Sequence, residues 1–244
     1  MIQVRELTKD YGTTLAVNKL NLNVSAGEIY GFIGPNGAGK TTTIRMMGGI
    51  LAPTSGSIVI GGRDMARDPV AAKKMIGFVP DRPFLYEKLT GREFLHFTAD
   101  LYDVSPETFP AKAETLLRQF ALWDWADELI EAYSHGMKQR LIIASALLHD
   151  PQILIIDEPM VGLDPAAVHM VKDIFQELAR KQITIFVSTH TLSIAEELCQ
   201  RIGVIHKGML LAQGTVNELR QIAKLGTARL EEVFLTITKE DTFL

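Results

Sequence analysis

The sequence predicts an α/β fold with a mainly parallel sheet as its core, an antiparallel β part at the N-terminal side and an inserted helical subdomain. Three observations point there. Apolar runs such as "ILII" before Asp157 and "ITIFV" before Ser188 lack the alternation of a half-exposed strand, so they read as strands buried on both faces. In the C-terminal half such runs alternate with helical patterns, the order that helical crossovers impose on parallel strands. Between them, residues 83–149 lose strand character and read as helical throughout.

In chain order, "IQVREL", "LAVNKLNLNV" and "GEIYGFIG" predict strands, a helix starts at about Lys40, and "GSIVIGG" and "IGFVP" predict further strands. Thr90 and Glu93 form a capping box in "TGREFLHFTADLY", Ser105 and Pro106 open another helix, and "AETLLRQFAL" follows. Ser134 caps the helix of "RLIIASALL", in which Leu141, Ile142, Ser145 and Leu148 recur at helical spacing up to Asp150 and Pro151. Then come the strand "QILIID", a helix from Pro165 to Arg180, the strand "ITIFVST", a helix around Leu192 to Leu198, the strand "RIGVIH" and a turn at Lys207 and Gly208. Thr215 with Glu218 makes a second capping box, and "RLEEVFLTIT" is amphipathic. Trp123 and Trp125, two residues apart, do not share a helix face, and at least one of them packs. The expected organisation is one domain: residues 1–82 and 150–214 as core, 83–149 as helical subdomain and 215–244 as a C-terminal helical extension.

The chain has 244 residues, 47% hydrophobic and 22% charged, enough to bury a substantial core. A net charge of -4 and a pI near 5.9 give no basic footprint, so nucleic acid is not the expected partner. The apolar runs are too short to span a bilayer, and the single cysteine, Cys199, makes no internal disulfide. The expectation is a cytoplasmic chain whose link to a membrane comes through a partner.

"GPNGAGKTT", Gly34 to Thr42, is a phosphate-loop pattern placed after an apolar strand and before a helix, which makes the fold class a P-loop NTPase. Gly34, Pro35, Asn36, Gly37, Ala38 and Gly39 supply a backbone that wraps a polyphosphate, Lys40 reaches the terminal phosphates, and Thr41 and Thr42 open the helix, with the Thr41 hydroxyl able to ligate Mg2+. A dinucleotide-binding GxGxxG fails because Thr42 stands at the third glycine. "ILIIDEP" ends a buried strand in Asp157, a second metal group, and Glu158, placed as general base for a water attacking the γ-phosphate. His190, at the end of "ITIFVST", reads as a γ-phosphate sensor.

Taken together, these motifs resemble the nucleotide-binding subunit of an ABC transporter, over residues 2–214. "YSHGMKQRL" is similar to that family's signature segment, with Ser134 and Gly136 retained while Tyr133, His135 and Met137 depart from it, and "VGLD", ending at Asp164, resembles the D-loop. "VPDRPFLYEKLTGREFL" and "LEEVFLTIT" look most like ABC-2-type exporters. The resemblance implies ATP as substrate, Mg2+, a transmembrane permease partner, and a second nucleotide-binding subunit, identical or not, that closes head to tail. Ser134 and Gly136 would then contact the ATP held by the partner's phosphate loop. It also places Tyr11 against adenine, with packing at a strand end as the alternative. Where the family has glutamine this chain has Asp81, which either ligates the metal or shapes a turn between Pro80 and Pro83. A soluble ABC ATPase that remodels other complexes is the rival; a P-loop GTPase lacks "NKxD" and leaves the signature segment unexplained.

Overall fold

A computed structural model describes residues 1–81 and 84–240. Pro83, the second proline of the turn expected around Asp81, lies outside them, as do the last four residues of the extension.

The elements run β1 (Ile2–Asp10), β2 (Leu15–Val24), β3 (Ile29–Ile33), α1 (Lys40–Met47), β4 (Ser55–Ile60), β5 (Arg63–Asp64), α2 (Pro69–Lys74), β6 (Ile76–Val79), α3 (Gly91–Leu101), α4 (Phe109–Gln119), α5 (His135–Leu147), β7 (Ile153–Asp157), α6 (Pro165–Arg180), β8 (Thr184–Thr189), α7 (Leu192–Leu198), β9 (Arg201–His206), β10 (Met209–Gly214), α8 (Val216–Ile222) and α9 (Leu230–Glu240). β1, β2, β4 and β5 form a four-stranded antiparallel sheet in the order β2-β1-β4-β5. The central sheet has the order β10-β9-β3-β8-β7-β6; all its pairs are parallel except β9 with β10.

Both faces of the central sheet are covered, and its strands sort their residues with period two. Tyr30, Phe32 and Phe186 stack on one face, centroids 5.6 and 5.4 Å apart, in a cluster with α1 and the antiparallel sheet. Ile29, Ile33, Leu154, Ile156, Ile185 and Val187 point the other way, into a cluster that also holds Phe175 of α6 and the buried residues of α3, α4 and α5. The helical insertion therefore shares the sheet's core. α5 joins them: Leu141 to Leu147 are all buried, so the second half of this helix is enclosed on every side. It presses onto β6 so closely that a Cβ on Gly77 would lie 2.4 Å from the Ala146 carbonyl oxygen.

The predicted helices at Pro165 to Arg180 and Leu192 to Leu198 lie where the sequence puts them, and both capping boxes are formed. Two details differ. Ser105 does not open α4: its carbonyl accepts from the Thr108 and Phe109 amides in a turn, and the helix begins at Phe109. α2, not foreseen, is one short helix capped by Asp68 with Pro69 in its first turn. Trp123 and Trp125 share one 3-10 turn; Trp123 packs on the core with Arg92 and Arg118 over its ring, while Trp125 is exposed. The extension folds back, with Leu230 and Val233 of α9 fully buried.

Candidate active site

Parallel pairing brings the carboxyl ends of β3, β8 and β7 to one edge, in registers that include Ile33 with Thr189 and Asp157 with Ser188. Ligands bind in open α/β sheets in the crevice outside the carboxyl ends of the strands, where the connecting loops converge. A cavity of about 570 Å3 opens there, lined by Asn36, Gly37, Gly39, Lys40, Thr41 and Thr42 with Asp81, Asp157, Glu158 and His190.

The loop after β3 needs its glycines. Gly39 has φ 104°, and a Cβ on it would lie 2.4 Å from the Ala16 carbonyl oxygen; one on Gly34 would lie 2.3 Å from that of Ile205. No side chain caps α1, so its first-turn N–H groups face the cavity without a side-chain acceptor. The buried Lys40 ammonium donates to the Gly34 and Pro35 carbonyls at 2.7 and 3.2 Å. Burial lowers its pKa, while the Glu158 and Asp157 carboxylates pull the other way. Ala38 is buried, and its carbonyl accepts from the Gly208 amide at 2.9 Å.

Thr41 Oγ1 donates to Asp157 Oδ2 at 2.8 Å. Burial pushes the Asp157 carboxyl above the usual carboxylate range, and the charges of Asp81 and Glu158 add to the rise. Glu158 takes a left-handed conformation, φ 52°, its amide donating to the Ser188 carbonyl at 2.8 Å. A non-glycine residue held there stores strain, the kind that collects at functional sites. The turn aims its carboxylate at β8: Thr189 Oγ1 donates to Oε2 at 3.1 Å, the His190 amide donates to Oε1 at 3.0 Å, and His190 Nδ1 lies 2.7 Å from Oε1. A carboxylate so held cannot swing away, and the imidazole beside it is fixed in orientation.

The structure thus brings the phosphate loop, Asp157, Glu158, His190 and Asp81 together. It places four other predicted residues outside that cavity. Tyr11 is exposed after β1, with Lys9 Nζ 5.2 Å from its ring centroid. Ser134 caps α5 by accepting from the Met137 amide at 3.3 Å, with Gly136 in the first turn of that helix. Asp164 caps α6, its Oδ1 accepting from the Ala167 amide at 2.8 Å. Sequence reasoning missed Thr189 as a holder of Glu158 and Lys207 as a cation in the cavity wall. Lys207 and Gly208 were legible as a turn: both have positive φ, the geometry of a tight hairpin between β9 and β10. That the turn leans on the phosphate loop had no local signal.

The family model described as "ABC transporter" matches residues 17–161. The chain belongs to the ABC transporter family. It is 36% identical over 241 residues to the ABC-type transporter ATP-binding protein EcsA of Bacillus subtilis (strain 168), covering 99% of this chain and 98% of that one. It is 41% identical over 222 residues to the bacitracin transport ATP-binding protein BcrA of Bacillus licheniformis, 91% of this chain and 72% of the relative. A solved structure of an ATP-binding subunit of an ABC transporter superposes with TM-score 0.92 at 34% identity, covering 98% and 99%. A dimeric ATP-binding cassette bound to ADP and Pi in a post-hydrolysis state superposes with TM-score 0.82 at 26% identity, covering 88% and 99%. This ABC subunit is an ATPase that binds and hydrolyses ATP to power transport through a transmembrane partner. No helix among its described residues is long and apolar enough to cross a membrane.

Proposed function

We propose that this ABC subunit hydrolyses Mg2+-bound ATP with Glu158 as general base, on the cytoplasmic face of the membrane, against a permease that moves its solute outward. One observation carries the chemistry: the Glu158 carboxylate is held by Thr189 and His190 in the same cavity as Lys40 and the Thr41–Asp157 pair. A base so held abstracts a proton from a water without first reorganising. His190, tied to Glu158 through Nδ1 and lining the same cavity, would meet the terminal phosphate with its remaining ring nitrogen.

The residues present fit Mg2+. Thr41 and Asp157 offer hard oxygen donors at one point, and a carboxylate whose burial penalises its charge gains from a cation beside it. Bound there, the ion would neutralise polyphosphate charge; Lys40 and the α1 amides would orient the phosphates, and Asp81, in the same cavity wall, would meet the ion or its water.

Gly136 supports a site shared between subunits. Its own chain does not require glycine, since an added Cβ would meet nothing closer than the Gly162 oxygen at 3.4 Å. A glycine that its own packing does not demand, in the first turn of a helix, leaves backbone N–H groups open to another molecule, here the ATP held by Lys40 of a second subunit, identical or not, with Ser134 beside it and Asp164 at the seam. Tyr11 is exposed enough to stack on adenine. The outward direction draws on relatives named for bacitracin transport and linearmycin resistance.

The test is Glu158→Gln, which keeps the shape and removes the base. Turnover should vanish while ATP binding persists and traps a dimer visible by size exclusion; hydrolysis at the wild-type rate would remove Glu158 from the role.

A further inference from the structure

His135 is left over by the chemistry above: it takes part in no step and does not line the cavity at the sheet edge. Its ring lies against the loop between Glu158 and α6. A Cβ on Gly162, which has φ 76°, would stand 2.1 Å from His135 Cδ2 and 2.6 Å from Nε2, so the imidazole occupies the space a side chain there would need. Two further contacts join the same pieces of chain. Gly136 faces the Gly162 carbonyl, and Gln139 Nε2, buried, donates to the Pro159 carbonyl at 3.4 Å. On its other side His135 borders a second cavity, about 660 Å3, with Asp81, Phe84, Tyr86 and Gln139 in the wall.

We propose that His135 is a positioning residue: its ring is a wedge that locks the start of α5 to the Val161–Asp164 loop, so that Ser134, Gly136 and Asp164 move as one rigid unit. The physical reason is packing. A flat ring against a bare glycine backbone fixes two loops at one distance, and sub-ångström slack between contacting groups is enough to misplace ligands of a phosphate. The glycine at 162 suits both its left-handed φ of 76° and the ring lying over it, although His135 itself is exposed. This rests on the reading that Ser134 and Gly136 face the nucleotide of a second subunit.

The test is a size swap read in steady-state ATP hydrolysis, with nucleotide binding and the ATP-trapped dimer of the Glu158→Gln background as separate readouts. His135→Gly should lower kcat and the yield of trapped dimer while leaving the affinity of a fluorescent ATP analogue for the chain's own phosphate loop unchanged. Gly162→Ala should be impaired more, because the methyl collides with the ring in addition to the strain of a side chain at φ 76°. Combining the two should recover on the order of tenfold in kcat over Gly162→Ala alone, the coupling expected of residues in contact. His135→Phe keeps a flat ring without a titrating proton and should stay within about threefold of wild type with the same pH profile. A double variant as poor as the product of its singles, or His135→Phe as poor as His135→Gly, would overturn the wedge. A Glu158→Gln parent that stays monomeric with ATP would sink the shared-site reading instead, and the size swap in turnover would still decide the wedge.

Discussion

At Gly136 the stability of the chain and the proposed shared site pull in opposite directions. Glycine in the middle of a helix costs about 0.5–1 kcal/mol relative to alanine and less in the first turn, where Gly136 sits, and alanine fits here without collision. Gly136→Ala should therefore raise the unfolding free energy of the isolated chain by a few tenths up to that amount while reducing ATP hydrolysis by on the order of tenfold, equivalent to ~1.4 kcal/mol of transition-state binding. Denaturant unfolding and turnover measured on one preparation check both signs; unchanged turnover would mean that no partner nucleotide approaches this face. Asp157 carries a similar conflict. Burial holds its pKa above the unfolded value, so the folded chain is free of the penalty below the unfolded pKa and bears it fully once pH has risen through the folded pKa. Without nucleotide, Asp157→Asn should melt higher than wild type near pH 8, and the gap should close as pH falls below the ordinary carboxylate range. Adding Mg2+ and ATP should reverse the order, because only the carboxylate gains from the cation; a less stable asparagine variant without nucleotide would contradict this. For Asp81, alanine should cost only a few-fold in turnover if the residue shapes a turn, and on the order of a hundredfold if it holds the ion or its water; its place in the cavity wall favours the larger loss.

Among the elements, α9 gives the clearest packing test. Leu230 and Val233 are fully buried against the sheet's helical face, and the carboxylate of Glu196 on α7 accepts from the Leu230 amide at 3.3 Å and pairs with Arg220 of α8 at 2.9 Å. Leu230→Ala should cost about 2–5 kcal/mol in denaturant unfolding, as a core leucine does; a cost below about 1 kcal/mol would show that α8 and α9 detach independently. What could be read in advance follows the same divide between local and distant causes. α6 and α7, both capping boxes, the phosphate loop and the Asp157–Glu158 strand end were legible because their signals sit within a few residues: a cap, a proline, a glycine pattern after an apolar run. α2 escaped because six residues hold too few turns to show a period, although Asp68 before Pro69 was a usable start signal. The wrong start for α4 came from taking Ser105 and Pro106 as a cap, where the serine instead closes a turn of its own. In the site, Thr189 and Lys207 belong to the sheet edge only because β8 lies beside β7 and the β9–β10 turn beside the phosphate loop, pairings that no local pattern encodes.

For the whole molecule, the residues proposed for one ATP site lie apart in the described chain: Lys40, Asp157 and Glu158 line one cavity, while Ser134 and Gly136 lie outside it. Head-to-tail pairing would bring each half against the other half on a second chain. Two chains linked covalently test this without relying on subunit exchange. With Lys40→Ala in one half and Gly136→Asp in the other, both defects fall in a single shared site and the second site stays intact. With both substitutions in the same half, each shared site receives one defect. ATP hydrolysis by the first linked pair and not by the second is the predicted result, the aspartate acting by placing an anion against the γ-phosphate. Hydrolysis by the second pair and not by the first would show that Gly136 serves the nucleotide of its own chain, and would contradict the shared site.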